Sequence, residues 1–482
     1  MPSGAAPAAS LPHPQLTSPP TLPPAVSAPT EPRLSFREKL AYGLGDTACN
    51  LTFQTVNLFL FIYYTDVFGL PAAAVGTMVL VARVLDAVLD PLTGIIADRT
   101  QSRWGKFRPF ILFGAIPFGF CGYLMFSNPA LSQPAKLVFA YITYIMMWVA
   151  YTVVNIPYSA LMGVMSASSA DRTSLSTFRF ACAFSGGLAI NALTLPLRDY
   201  FGHGDAGTGY KYTMALFSVI SVAMLLYTFS QTKERVVPKA DPSASLGKDL
   251  KYLFANGPWL VLFFAAFLTL TNVGVRNAAI IYYFKYNVGD ESKFTLFGTL
   301  GTIAFIAGAM ATPLFLRFSN RRSLMIVLTS VNAAFMAAFF FVDPKSIVTL
   351  HILNIIGTFA VGPTPAIVWS MYADTADYGA WKFGRRTTGL VFAAAVFAQK
   401  IGLAVGSFML GWALTFVGFV PNAAQTPRSL LGIKVVFSLL PGIIGLLSGL
   451  AIFFYKLDEP TVKLMERELA DREAAEPQPA GA

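Results

Sequence analysis

A chain of 482 residues that is 55% hydrophobic and only 12% charged lacks the polar surface to cover soluble domains, which carry about 25% charge. With a mean hydropathy of +0.58 it reads as an integral membrane protein. Its net charge of +10 is no nucleic-acid signature, because the basic residues sit in short loops between apolar runs rather than along one face.

Residues 1–32 hold ten prolines among Ala, Ser and Thr, without the basic start and apolar run of a signal peptide, so a disordered tail is expected there. Apolar runs long enough to span a bilayer, about 20 residues each, then fall near 41–66, 72–97, 109–127, 137–164, 177–197 and 212–231. They resume near 258–284, 294–316, 323–342, 347–373, 388–417 and 431–455. The hydrophilic stretch 232–257 divides the twelve spans six and six, into units 33–231 and 258–457, and a charged, Pro/Ala-rich tail follows over 458–482. The loops after even-numbered spans hold sixteen Lys and Arg residues and the opposite loops eight, which places both termini in the cytoplasm.

The two halves repeat a sparse pattern. Gly76-Thr77 precedes Pro91 by fifteen residues and Arg99 by twenty-three, and Gly298-Thr299 precedes Pro313 and Arg321 by the same intervals. The repeat aligns Asp86 with Gly308 and Asp90 with Thr312, so the scaffold is duplicated and the acids are not. Cys49, Cys121 and Cys182 lack metal spacing and read as buried free thiols, and His13, His203 and His351 are scattered. No structural metal and no cofactor is implied.

Span 2 carries the main anomaly. Asp86 and Asp90 lie one helical turn apart on one face, with Arg83 beside them. Each mid-membrane carboxylate costs roughly 2.5–3.5 kcal/mol, and one guanidinium cannot cancel two acids. A mobile cation is the expected third party. Span 1 bears a polar stripe of Asp46, Asn50, Gln54 and Asn57, and span 4 a stripe of Tyr144, Trp148, Tyr151, Thr152, Asn155, Tyr158 and Ser159. Aromatic faces beside amides and hydroxyls suit a sugar ring, although helix packing explains such stripes as well. Arg179, Arg276 and Lys400 also lie within spans and need a cavity or partner. Asn50, Gln54, Trp148, Tyr151, Asn155, Arg179 and Lys400 are the candidate substrate-binding residues. In the loop after span 2, Asp98, Arg99, Arg103, Lys106 and Arg108 form a candidate cytoplasmic gate.

Several of these motifs occur together: Tyr42-Gly-Leu-Gly-Asp46, Tyr63-Tyr-Thr-Asp66, Arg83-Val-Leu-Asp86-Ala-Val-Leu-Asp90-Pro91, Ser102-Arg-Trp-Gly-Lys-Phe-Arg-Pro109, Asn155-Ile-Pro-Tyr158, Asp374-Thr-Ala-Asp377-Tyr-Gly379 and Lys400. The chain thereby resembles, from about Arg37 to Leu457, the glycoside–pentoside–hexuronide:cation symporter family of the major facilitator superfamily, typified by melibiose permease. That resemblance implies an all-α membrane protein of twelve helices in two six-helix bundles, a central sugar site and alternating access. In it Asp86 and Asp90 match the cation-binding carboxylates, Thr152 a hydroxyl at that site, Arg179 a sugar-site arginine and Lys400 the helix-11 lysine. Asn50 and Asn155 stand where the melibiose pattern has aspartates, Ser159 where it has a tryptophan and Leu89 where it has an amide associated with sodium. The pattern is closer to the glucuronide and pentoside branch.

The expectation is a secondary transporter without catalysis, working as a monomer in the cell inner membrane and moving a neutral glycoside or a uronate with H+ rather than Na+. A lipid or other solute transporter of the same superfamily is the nearest alternative. A magnesium-dependent membrane transferase is more remote, since no second acidic cluster shares the metal.

Overall fold

The structure, a computed structural model, describes residues 34–166, 168–236, 246–384 and 388–475. The expected tail at 1–32 therefore lies outside the described residues, as do 237–245 of the linker and the last seven residues. Among the described residues there are twelve long helical rods and no strand. They are α1 (36–67), α2 (Ala72–Arg99), α3 (Arg108–Met125), α4 (Gln133–Met165), α5 (Ser169–Gly202), α6 (Ala206–Gln231), α7 (Gly257–Val288), α8 (Lys293–Met310), α9 (Arg321–Phe341), α10 (Ile347–Phe383), α11 (Thr388–Phe416) and α12 (Pro427–Phe453). Eleven rods, α2 to α12, are long and apolar enough to cross a membrane. The twelfth, α1, is diluted by its own polar stripe.

Local chemistry fixes several boundaries. Ser35 and Glu38 form a capping box that starts α1. Its second half widens into π-helical turns at Val56–Leu60 and Tyr63–Val67. The expected span 294–316 is interrupted, because Pro313 cannot donate to a continuing helix and opens a separate turn, Thr312–Phe315. Past Gly362 and Pro363, α10 runs on to Phe383, ten residues beyond the apolar run. Short helices Leu246–Ala255 and Glu459–Ala475 occupy the linker and the tail.

Successive rods reverse direction, so the loops after odd-numbered rods gather at one end, termed the far end, and the linker and remaining loops at the other, the linker end. At the linker end Glu234 accepts the backbone N–H groups of Lys106, Phe107 and Arg108 at 2.8, 2.7 and 3.0 Å. This carboxylate from just after α6 thus caps the start of α3.

Small residues let the two six-helix groups cross closely. A Cβ on Gly76 of α2 would lie 3.1 Å from the Phe408 backbone of α11, and one on Gly411 would collide with the Ala72 carbonyl. The duplicate glycine, Gly298 of α8, lies against Asn191 of α5. Since α2 corresponds to α8 and α5 to α11, the repeated glycine marks the same crossing in both halves. From the Gly76–Gly411 contact, Asp86 lies ten residues along α2 and Lys400 eleven back along α11, about 15 and 16 Å. That register brings the two side chains together.

Arg276 of α7 is buried inside the second group with no carboxylate partner among the described residues. Its Nη2 donates to Asn354 Oδ1 at 2.8 Å, and its guanidinium lies 5.3 Å from the centre of the Phe339 ring and 5.6 Å from that of Phe437. Asn354 in turn donates to the Phe297 carbonyl at 2.8 Å. Asn354→Ala removes the oxygen that serves the buried cation. It should cost about 2–3 kcal/mol, read as a lowered midpoint of thermal unfolding in detergent. An unchanged midpoint would show that Arg276 is supported otherwise.

Candidate functional site

Three helices converge on the carboxylate pair. Asp86 and Asp90 come from α2, Thr152 from α4 and Lys400 from α11. Thr152 Oγ1 lies 2.6 Å from Asp86 Oδ1 and 3.2 Å from Asp90 Oδ1. Lys400 Nζ donates to Asp86 Oδ2 at 3.0 Å and also to Asp90 Oδ2. Arg83 Nη1 stands 3.5 Å from Asp86 Oδ2 and its guanidinium covers the Trp148 ring, 3.2 Å from the centre. Arg83 and Asp86 are 2% and 1% exposed, so that pair is shielded from water, while the Lys400 and Asp90 side chains keep 16% and 19% exposure. Two acids meet two bases, and the cluster is neutral as it stands.

That arithmetic corrects the sequence reading in two places. The charge left over by Arg83 is met by Lys400, which lies at the acid pair rather than among substrate-binding groups. Trp148 is 2% exposed with Arg83 stacked on it, so its face is occupied and cannot receive a sugar in this conformation. Tyr151 packs edge-on to Trp148 and stacks on Phe53, with ring centres 5.2 and 5.8 Å apart.

A second polar cluster joins α1, α4 and α5. Arg179 Nε lies 3.5 Å from Asp46 Oδ1, and its Nη2 donates to Ser159 Oγ at 3.3 Å. The same guanidinium sits 5.4 Å from the centre of the Tyr158 ring. Asn50 donates back to the Asp46 carbonyl at 3.0 Å. Gln54 and Asn155 are half-buried, and neither has a side-chain hydrogen bond among the described residues. These two amides, with Asn50 and Arg179, leave polar capacity one helix away from the carboxylates. Asp46 was visible in the span 1 stripe, but its partnership with Arg179, 133 positions on, was not.

The loop after α2 differs from the acid–base gate expected there. Arg108 donates to the Phe229 and Trp104 carbonyls at 2.7 and 3.3 Å. Arg99, Arg103 and Lys106 form no ion pair with a described residue, and the Asp98 side chain lies outside the described residues. The acid that holds this loop is Glu234, an unremarkable linker residue by sequence. Apart from the pairs of Lys400 with the acids, ion pairs between the two six-helix groups occur instead at the far end. Asp66 accepts from Lys285 Nζ at 2.6 Å and Tyr286 Oη at 2.5 Å, and Asn422 donates to its carbonyl. Thr65 meets Tyr282 at 2.5 Å, and Arg198 meets Glu291 at 2.6 Å. The Tyr-Tyr-Thr-Asp motif was the one sequence sign of this network. Just beyond the carboxylates on that side lies a small cavity of about 20 Å³, lined in part by Arg83, Asn57 and Ser407.

Comparison with known proteins accords with this geometry. The chain is 38% identical over 442 residues to the inner membrane symporter YicJ of Escherichia coli (strain K12), covering 91% of this chain and 95% of that one. It is 34% identical over 440 residues to the isoprimeverose transporter of Lactiplantibacillus pentosus, covering 90% and 91%. Among solved structures, a D-xylose–proton symporter superposes with a TM-score of 0.63 at 16% identity, over 88% of this chain and 98% of that one, a likeness of fold. The profile of the MFS/sugar transport protein family matches residues 41–459. From the end of the first turn of α1 to the start of the C-terminal helix, the chain therefore belongs to the MFS/sugar transport protein family.

Proposed function

We propose that this protein, a multi-pass membrane transporter of the sugar:cation symporter class, couples a neutral sugar or glycoside to protons by exchange at Asp86, Asp90 and Thr152. The observation that carries this reading is the Lys400 ammonium, which enters from the opposite six-helix group and bonds both carboxylates. While it sits there, the pair is neutral and the two groups are tied. A proton delivered to the acids weakens their hold on Lys400, and the tie between the groups loosens. The coupling is a difference in affinity between two conformations.

Proton coupling is favoured because Lys400 fills the space between the carboxylates and Leu89 offers no oxygen ligand to a metal cation. Sugar binds beside Asn50, Gln54, Asn155 and Arg179, where Asp46 already balances the arginine. The isoprimeverose transporter's named substrate, a glycoside, supports that class here. No catalytic step is assigned to the chain. The six-helix units 33–231 and 258–457 rock about the glycine crossings, and the far-end network holds the present conformation closed at that end. The positive-inside bias makes the linker end cytoplasmic, with both termini there, in a cell inner membrane and with the monomer as the working unit.

The test is uptake of a glycoside panel by proteoliposomes under an imposed pH gradient, or under a sodium gradient at fixed pH. Accumulation driven by the pH gradient alone is expected. Accumulation that follows sodium at fixed pH would overturn the choice of ion, and uptake of no sugar under either gradient would overturn the reading itself.

A further inference from the structure

On the outward face of the first six-helix group a cavity of about 590 Å³ opens between α3 and α4. Its walls are apolar, including Phe110, Phe113, Pro117, Met146, Val149 and Val153. Phe113 is 64% exposed, as a lipid-facing side chain is. At its linker end the groove is closed by Thr100 and Pro109, which bracket the basic loop.

That loop is joined to the groove through contacts. The Arg103 guanidinium lies 4.2 Å from the centre of the Trp104 ring, and Trp104 meets Phe113 edge-on at 5.8 Å. Arg99, Arg103 and Lys106 have no acidic partner among the described residues. The one described carboxylate bonded to this loop, Glu234, faces its backbone and is engaged by three N–H groups. A concave apolar channel thus ends at uncompensated cations and an aromatic ring of the kind that sits at membrane interfaces.

We propose that this groove is a binding site for one anionic phospholipid, with an acyl chain along α3 and α4 and the phosphate on Arg103 and Lys106. Charge complementarity selects an anionic lipid over a zwitterionic one, because a neutral headgroup leaves the cations unmatched. The groove selects a chain-bearing ligand over free phosphate, because only burial of methylene groups fills it.

Native mass spectrometry of the full-length protein titrated with phosphatidylglycerol and phosphatidylcholine of matched chains tests this. One phosphatidylglycerol is expected to be retained in preference. The double variant Arg103→Gln/Lys106→Gln should weaken that adduct roughly 30-fold, from about 1 kcal/mol per basic contact. Val149→Trp/Val153→Trp, which fills the groove and leaves the loop intact, should abolish it at an unchanged midpoint of thermal unfolding. Dihexanoylphosphatidylglycerol, with the same headgroup and short chains, should bind far more weakly. Equal retention of the two long-chain lipids, or wild-type retention by either double variant, would overturn the site. Equal binding of the short-chain lipid would overturn the groove as its seat.

Discussion

Asp86→Asn is expected to abolish gradient-driven sugar accumulation and to destabilise the fold by about 3–5 kcal/mol, the usual cost of breaking a buried ion pair from one side. The wild-type cluster holds two acids against two bases. Without Asp86, Arg83 and Lys400 face Asp90 alone, and a positive charge is left in a site where Arg83 is 2% exposed. Adding Lys400→Gln restores neutrality, with Arg83 against Asp90. The double variant Asp86→Asn/Lys400→Gln should therefore recover most of the lost stability and none of the accumulation. Lys400→Gln alone leaves a surplus negative charge, so its unfolding midpoint should rise with the concentration of the coupling cation. Thermal unfolding and proteoliposome uptake on the same preparations check all three. Recovery of accumulation in the double variant would sever Asp86 from coupling.

The second large effect is conformational. Asp66→Ala removes the acceptor shared by Lys285 and Tyr286 at the far end. The Asp66 side chain is 2% exposed but that of Lys285 is 27%, so solvent screening lowers the loss to about 2 kcal/mol. That is enough to change a two-state population ratio roughly 30-fold. Spin labels at Asn128 and Lys345, exposed positions on far-end loops of opposite groups, should show a longer distance in the variant. Conversion should go toward far-end opening, because the lost contacts exist only when that end is closed. An unchanged distance distribution would mean that the glycine crossings and the Arg198–Glu291 pair suffice.

The parts of the molecule legible from sequence are those decided within one helix. Arg83, Asp86 and Asp90 share a face by spacing alone, and eleven of the twelve rods follow from apolar length. The extension of α10 to Phe383 escaped, because a helix does not stop where the membrane does. Partnerships across distant helices escaped as well. Lys400 stood out as an intramembrane cation, but its position on the acids depends on the Gly76–Gly411 crossing, a three-dimensional register. Asp46 with Arg179, Asp66 with Lys285, and Glu234 with the α3 start are all meetings of residues more than one hundred positions apart. A single chain's periodicity carries no record of them.

The repeat position of Asp86 in the second half is Gly308, where a Cβ would collide with the Phe359 carbonyl. That half is sealed, backbone against backbone, at the spot where the first half keeps its acids. Among the described residues, Lys400 is the one group of the last six helices that forms a hydrogen bond or ion pair with the carboxylates. The polar link from the acid pair to the second half is thus a single ammonium. Under the proposed exchange at Asp86 and Asp90, coupling is portable. Any partner half that presents an ammonium at that register inherits it, while the rest of its interior is free to diverge with the sugar it serves.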